Sequence, residues 1–373
     1  MNILFCGGGT AGHIMPAIAI AESFKKHDRN TKLLFIGREG GSENRAITNK
    51  GYPLKTLRIS GIERRLTVRN IKNLFTALHS LKEAEKIIKD FSPDAVIGTG
   101  GYVSWPIITK AHKLGIPTAI HESNASAGLV TKLLSKKCDI LFLNMQGSEN
   151  EYKGCKNIKI VGNPVREEFG RLTYRSARER IGIRDGEFFI LSLGGSGGSE
   201  KINDAVIALM KKHTLKGPKI KHIHSCGIKY FDEIKTKYPS LARGINGCVI
   251  KPYIDDIEKM LAAADIVIAR SGAMTLSELA AVGAAAILIP SPNVTNNHQY
   301  KNARLLADSK ACILLEEKDL SEGALLDTVL SLEKNDSERI KLRQNIKSFY
   351  IKNSSDKIRE DILNLIKANS ATK

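Results

Sequence analysis

Two glycine-rich turns constrain this chain more than any other feature. The first, Gly7-Gly8-Gly9-Thr10-Ala11-Gly12-His13, follows the apolar run Ile3-Leu4-Phe5-Cys6 and precedes Pro16-Ala17-Ile18-Ala19-Ile20-Ala21-Glu22. The second, Gly194-Gly195-Ser196-Gly197-Gly198-Ser199, follows the apolar run Phe188–Leu193 and precedes an amphipathic stretch near Ile202–Lys211. An apolar strand, a glycine turn and a helix form the arrangement in which backbone N–H groups and a helix N-terminus face an anion. Proline suits the first turn of a helix, so the first helix is expected over Pro16–His27.

The pattern around each turn repeats. Strands are expected at Asn2–Cys6, Leu33–Ile36, Lys55–Arg58, Ala95–Ile97, Thr118–Ile120, Ile140–Leu143 and Ile158–Val161, with helices between them such as Asn70–Lys89 and Trp105–Leu114. After Gly162-Asn163-Pro164 and a polar helix over Ala177–Ile183, further strands are expected at Phe188–Leu193, Ile220–His224, Val249–Lys251, Ile266–Ala269 and Ala285–Pro290. Strand–helix alternation at this spacing predicts parallel sheets covered on both faces. A chain of 373 residues exceeds one ordinary core. The expected architecture is α/β, with two Rossmann-like domains, residues 1–162 and 163–340, whose glycine turns meet at one cleft. Residues 341–373 form a charged helical segment expected to return to the first domain.

Charge limits the partners. Lys and Arg number 57 against 39 Asp and Glu, and residues 1–162 hold 24 of the cations against 13 of the acids. This balance favours polyanionic substrates, an anionic membrane surface or nucleic acid. Nucleic acid is disfavoured, because aromatics make up only 6% and no RNA- or DNA-binding motif occurs. No apolar run of 18 residues is present, so no membrane-spanning helix is expected. The six scattered cysteines form no C-x-x-C pair and read as reduced thiols of a cytoplasmic protein.

Several stretches at strand ends have the residue types that chemistry requires, and each also has a purely structural explanation. Gly7, Gly9 and Gly12 fit G-x-G-x-x-G, but the second strand ends in Gly37-Arg38 rather than an acid, so an NADP site remains as an alternative. His13 would crowd a pyrophosphate and suits a general base; the alternative is a capping or core imidazole. Thr275-x-x-Glu278 reads either as a capping box or as a diphosphate- and ribose-binding helix start. His121-Glu122-Ser123-Asn124 offers two metal-ligand types without a third, and no D-x-D pair occurs to hold a metal–diphosphate. Asn296-Asn297-His298-Gln299 reads as amide ligands or as helix N-capping. Arg58, Arg64, Arg65, Arg69, Lys72 and Lys82 interleave with Leu74, Phe75 and Leu78. That segment is either a core helix or an apolar patch ringed by cations on a bilayer.

Together these stretches closely resemble the MurG family, the bacterial peptidoglycan N-acetylglucosaminyltransferases of GT-B fold. The matching pieces are Gly8 to His13 with Pro16, Gly100-Gly101-Tyr102, His121 to Asn124 and Gly162 to Arg166. They continue with Gly194-Gly195-Ser196, Arg270 to Glu278 and His298-Gln299, in the family's order across nearly the whole chain. Ala11, Gly197 and Trp105 depart from the commonest pattern, where a glycine, a glutamine and a small residue are frequent.

The resemblance implies an inverting transfer of N-acetylglucosamine from UDP-N-acetylglucosamine to lipid I, the undecaprenyl-diphosphate-linked muramyl pentapeptide, giving lipid II. It implies no cofactor and no metal ligand. The donor would meet Arg166, Ser196, Ile254, Ala273, Met274, Thr275, Glu278, His298 and Gln299 in the second domain. Thr10, Ala11, Gly12 and Asn124 would meet it from the first. His13 would be the catalytic base. Arg64, Arg65, Arg69, Lys72, Leu74, Phe75, Leu78 and Tyr102 would serve the acceptor and the anionic inner-leaflet surface, which places the protein peripherally on the cytoplasmic face of the cell membrane. Another GT-B UDP-sugar enzyme, a glycolipid transferase or epimerase, is the alternative.

Overall fold

The computed structural model describes residues 1–371 apart from 10, 42–43, 60–67, 153, 196, 216 and 218. Two compact units result. The first comprises Met1–Val165 and Ile351–Lys373, and the second Arg166–Tyr350. The chain therefore returns to the first unit at Ile351, ten residues later than the sequence suggests, and the helix Asp336–Lys347 stays with the second.

The first unit is built on seven parallel strands: β1 (Asn2–Cys6), β2 (Lys32–Arg38), β3 (Leu54–Leu57), β4 (Ala95–Gly98), β5 (Thr118–Glu122), β6 (Ile140–Leu143) and β7 (Ile158–Ile160). Their order is β3-β2-β1-β4-β5-β6-β7. Adjacent residues on β1 point to opposite faces. Leu4 and Cys6 pack with Val96, Ile120, Ile107 and Ile88 on one side. Ile3 and Phe5 pack with Phe35, Phe142, Phe24 and Ile358 on the other. The order reverses between β1 and β4, so a crevice opens at the carboxyl ends of these two strands, where such sheets bind ligands.

The first helix runs over Ala11–His27, not from Pro16. Proline six residues into a helix removes a single N–H, the one that would reach back to Gly12. The burial of Ile14, Ile18, Ile20 and Phe24 on one face outweighs that loss. The glycine turn thus feeds straight into the helix. The helix Ser354–Ala371 packs on this first helix. It buries Ile358 and Ile362 completely, about 1.5–3 kcal/mol each. Arg359 Nη1 also donates to Ser23 Oγ at 2.7 Å.

The second unit has six parallel strands: β8 (Phe188–Leu193), β9 (Ile220–Ser225), β10 (Cys248–Lys251), β11 (Ile266–Ala269), β12 (Ala286–Leu288) and β13 (Ile313–Leu314). Their order is β10-β9-β8-β11-β12-β13, which reverses between β8 and β11. Each sheet thus opens its crevice beside the strand that carries its glycine turn.

The helix Val68–Phe91 turns Ser80, Ala84, Ile87 and Ile88 toward the first core. Leu78 lies off that face and is 53% exposed, so the core reading of this segment fails at Leu78. Arg64 and Arg65, and the side chains of Arg69, Lys72, Leu74 and Phe75, lie outside the described residues. Among the described residues no helix is long and apolar enough to cross a membrane. All six cysteines are free thiols, five of them buried.

Candidate functional site

In the first unit, two glycine turns meet at the ends of β1 and β4. Gly8 N donates to Gly100 O at 3.3 Å. His13, in the first turn of its helix, has Nδ1 at 2.8 Å from Gly8 O. A carbonyl can only accept, so Nδ1 carries the proton and Nε2 is the basic nitrogen. The imidazole edge lies against Gly100, whose φ is +105°; a Cβ there would stand 2.8 Å from His13 Cδ2 and 3.0 Å from Nε2. Glycine at 100 is therefore required twice, by backbone sign and by the ring beside it. Tyr102, next along, is 44% exposed.

The end of β5 shapes a second element of this edge. Glu122 is buried and accepts from Asn124 N, Asn124 Nδ2 and Gly128 N, each at 3.1 Å, and from Thr131 Oγ1 at 2.7 Å. Its carboxylate thus fixes Asn124. His121 points the other way: Nε2 donates to Gly162 O at 3.1 Å, and burial pushes its pKa down to about 4. His121 and Glu122 do not converge, and no cluster of three metal-ligand residues occurs among the described residues.

In the second unit, one arginine ties the loops at the ends of β8, β11 and β12. Arg270 Nη1 donates to Ile289 O at 3.1 Å, Nη2 donates to Ser199 Oγ at 2.6 Å, and Nη2 also pairs with Glu317. Ser271 Oγ donates to Gln299 O at 2.8 Å. Gln299 Oε1 accepts from Ser291 N at 2.9 Å, so its NH₂ is the half of the amide left to address a ligand. His298 Nδ1 donates to Thr295 O at 2.8 Å.

The helix Ala273–Val282 starts at Gly272, which makes no side-chain cap. Thr275 and Glu278 are its third and sixth residues, so the capping box is not formed. Ala273, Met274 and Thr275, each half-buried, instead make the first turn, at the positive end of the helix dipole. The carboxyl of Glu278 finds no hydrogen-bond partner among the described residues. Burial, reinforced by the charge of Glu258 and opposed by Arg166, raises its pKa to about 7. Arg166 Nη2 pairs with Glu258 at 3.0 Å, and its guanidinium lies 5.1 Å over the Phe169 ring. Glu258 was not singled out by sequence, since nothing in Asp255-Asp256-Ile257-Glu258 distinguishes a ligand-site partner from a solvated helix start. Past β10, Tyr253 is 57% exposed while the Ile254 side chain is buried, leaving backbone as what Ile254 can offer. Asn297, at positive φ, precedes the helix His298–Asp308 without a side-chain cap, so the capping reading of Asn296-Asn297 fails. Thr10 and Ser196, and the side chain of Ala11, lie outside the described residues.

Residues 3–142 match the glycosyltransferase family 28 N-terminal domain, and residues 189–361 match its C-terminal domain. The chain belongs to glycosyltransferase family 28. It is 38% identical over 372 residues to a protein of Acetivibrio thermocellus named UDP-N-acetylglucosamine--N-acetylmuramyl-(pentapeptide) pyrophosphoryl-undecaprenol N-acetylglucosamine transferase, covering 100% of both chains. A protein of the same name from Caldanaerobacter subterraneus is 40% identical over 359 residues, 96% of this chain and 98% of that one. The crystal structure of Acinetobacter baumannii MurG superposes with a TM-score of 0.76 at 25% identity, covering 97% of this chain and 99% of that one. A putative UDP-N-acetylglucosamine 2-epimerase of Listeria monocytogenes shares the fold at 12% identity, with a TM-score of 0.67. The GT-B architecture of two parallel α/β units is thereby shared with family 28 glycosyltransferases.

Proposed function

We propose that this protein transfers N-acetylglucosamine from UDP-N-acetylglucosamine to the muramyl sugar of lipid I, forming lipid II for peptidoglycan synthesis. One observation carries the reading. A single unit combines a helix first turn at Ala273–Thr275, the Arg166–Glu258 pair, the Glu278 carboxyl, without a hydrogen-bond partner among the described residues, and the Gln299 amide. Those are the groups a diphosphate, a ribose diol and sugar hydroxyls require, and they occur in a chain related over its full length to transferases of that name.

The 4-hydroxyl of the muramyl sugar attacks the anomeric carbon of the donor. The C–O bond to UDP breaks as the new glycosidic bond forms, so configuration inverts from α to β. His13 Nε2 takes the hydroxyl proton; the Nδ1–H bond to Gly8 holds the ring in the tautomer that allows this. The helix N-terminus at Ala273 and the Arg166 guanidinium receive the charge that develops on the departing diphosphate. Glu278 accepts from the ribose hydroxyls, and the Ile254 backbone reads uracil beside Tyr253. In the first unit, Glu122 holds the Asn124 amide in place as a candidate sugar ligand.

The acceptor is membrane-bound, and the basic first unit docks on the anionic inner leaflet through the segment around Arg64, Arg65 and Lys72, with exposed Leu78 inserted. Radiolabelled UDP-N-acetylglucosamine and a short-chain lipid I analogue test the reaction. Labelled disaccharide-lipid is the expected product; epimerised donor, or transfer to diacylglycerol instead, would overturn it. Changing Arg64, Arg65 and Lys72 to Glu should abolish sedimentation with phosphatidylglycerol vesicles, and unchanged sedimentation would remove the docking surface.

A further inference from the structure

The second sheet carries a row of buried polar side chains that the reaction above does not use. Ser192 on β8, His222 and His224 on β9, and His213 from the helix Glu200–Leu215 are completely buried; Asn203 from the same helix is nearly so. Buried polar groups are tolerated when each donor meets an acceptor, and one assignment of protons gives consecutive members of the row one donor and one acceptor each. Its fixed end is a backbone carbonyl: Asn203 Nδ2 donates to Cys226 O at 3.1 Å. The amide oxygen of Asn203 then faces His224 Nε2 at 3.0 Å, so that nitrogen carries the proton. His224 Nδ1 is therefore an acceptor, and Ser192 Oγ–H reaches it at 2.9 Å. The 3.2 Å approach of the same Nδ1 to Ser192 O would need the opposite tautomer, which the Asn203 amide forbids. Ser192 Oγ accepts from His222 Nε2–H at 2.9 Å, and His222 Nδ1 accepts from His213 Nδ1–H at 3.3 Å. Burial holds His224 down to about 4 and His222 well below the ordinary imidazole range, so these two rings are neutral near pH 7.

The row ends beneath the second glycine turn. A Cβ on Gly198 would stand 2.4 Å from Cys226 O, so the backbone of the turn rests on the carbonyl that Asn203 holds. A Cβ on Gly194 would lie 3.2 Å from Asn203 Oδ1, and Asn203 N donates to Ser199 O at 2.8 Å. Asn203 therefore lies beside one end of the turn through its amide oxygen and is bonded to the other through its backbone N–H. We propose that Asn203, oriented through His224 and Ser192, is a positioning residue that sets Gly194, Gly195, Gly197 and Gly198 at the distance their amides need to meet the donor diphosphate. The proposal rests on the second unit being the UDP-sugar site. It needs no contact between Asn203 and substrate, because N–H···O bonds weaken steeply as their angle and distance depart from the optimum.

The experiment is titration of the full-length protein with UDP, paired with steady-state KM and kcat for UDP-N-acetylglucosamine. Asn203→Ala and His224→Ala should weaken UDP binding about tenfold and raise KM comparably, about 1.4 kcal/mol, with kcat lowered less than about threefold. His224→Gln, which places an N–H near the position of imidazole Nε2, should restore UDP binding to within about threefold of wild type. Where Asn203→Ala does not fold, Ser192→Ala removes only a hydroxyl and should weaken UDP about threefold. Wild-type protein that fails to bind UDP would overturn the donor-site assignment itself. Wild-type protein that binds UDP while the folded variants match its affinity would overturn the positioning role alone. So would variants that lose thermal stability with KM unchanged, the mark of a merely structural row.

Discussion

The proposed ribose contact of Glu278 gives donor binding a proton signature. Burial raises its pKa from an ordinary 4.5 to about 7. In the ligand-free protein it is then about half protonated at pH 7, about nine-tenths at pH 6 and about one-tenth at pH 8. Ribose hydroxyls donating to the carboxylate favour the ionised form and lower this pKa. Donor binding should therefore release about 0.5 proton at pH 7, rising to about 0.9 at pH 6. The sign follows directly. Ionisation is opposed in the free site below pH 7, so affinity increases as pH rises through 7, about tenfold between pH 6 and 8, or about 1.4 kcal/mol. The free protein moves the other way, losing stability as pH rises from 4.5 through 7. UDP-N-acetylglucosamine is the right probe, because its diesterified phosphates hold no proton that titrates in this range. Calorimetry in phosphate and in Tris at each pH counts the protons from the difference in heat. Glu278→Gln should abolish both the buffer dependence and the pH slope. Equal wild-type heats in the two buffers at pH 7, or proton uptake, would refute the ribose role of Glu278.

The remaining predictions concern the first unit. His13→Ala should lower kcat by about 10²–10⁴-fold while calorimetry finds donor affinity unchanged. Gly100→Ala places a methyl 2.8 Å from the His13 ring and should lower kcat at least about tenfold by displacing the base; unchanged kcat would mean that the ring position is not critical. Glu122→Gln turns one carboxylate oxygen into an NH₂ and so takes the acceptor from two of its four donors. It should destabilise the first unit by about 2–4 kcal/mol, seen as a Tm lowered by about 5–10 °C in a thermal scan.

The strands were legible because a sheet buried on both faces demands continuous apolar runs, and Phe188–Leu193 or Ala95–Gly98 have no other use in a chain of this composition. Helix starts were harder. Local rules favoured Pro16 and Thr275 as signals, but packing of Ile14 extends the first helix backward, and Gly272 takes the cap position ahead of Thr275. The candidate ligand residues stood at strand ends and could be named. Their partners could not: Glu258 lies 92 residues from Arg166, and Glu317 lies 47 residues from Arg270. Such pairings are decided by which helices the sheet brings together. The polar row of β8 and β9 was equally hidden, since His222 and His224 alternate as any two-faced strand would.

The return of Ser354–Ala371 to the first unit bears on how the protein is made. Ribosomes add about 5–20 residues per second, so the roughly 200 residues separating Val165 from that helix take about 10–40 s to appear. Through that interval the second unit can form from a contiguous stretch, but the flank of the first helix that Ile358 and Ile362 cover stays bare. The unit that begins synthesis is the last to be finished. With the donor site in the second unit, as proposed, a message cut short after that unit would yield a chain that still binds nucleotide yet carries His13 on an incompletely packed scaffold, so nucleotide retention alone would be a poor gauge of intact product.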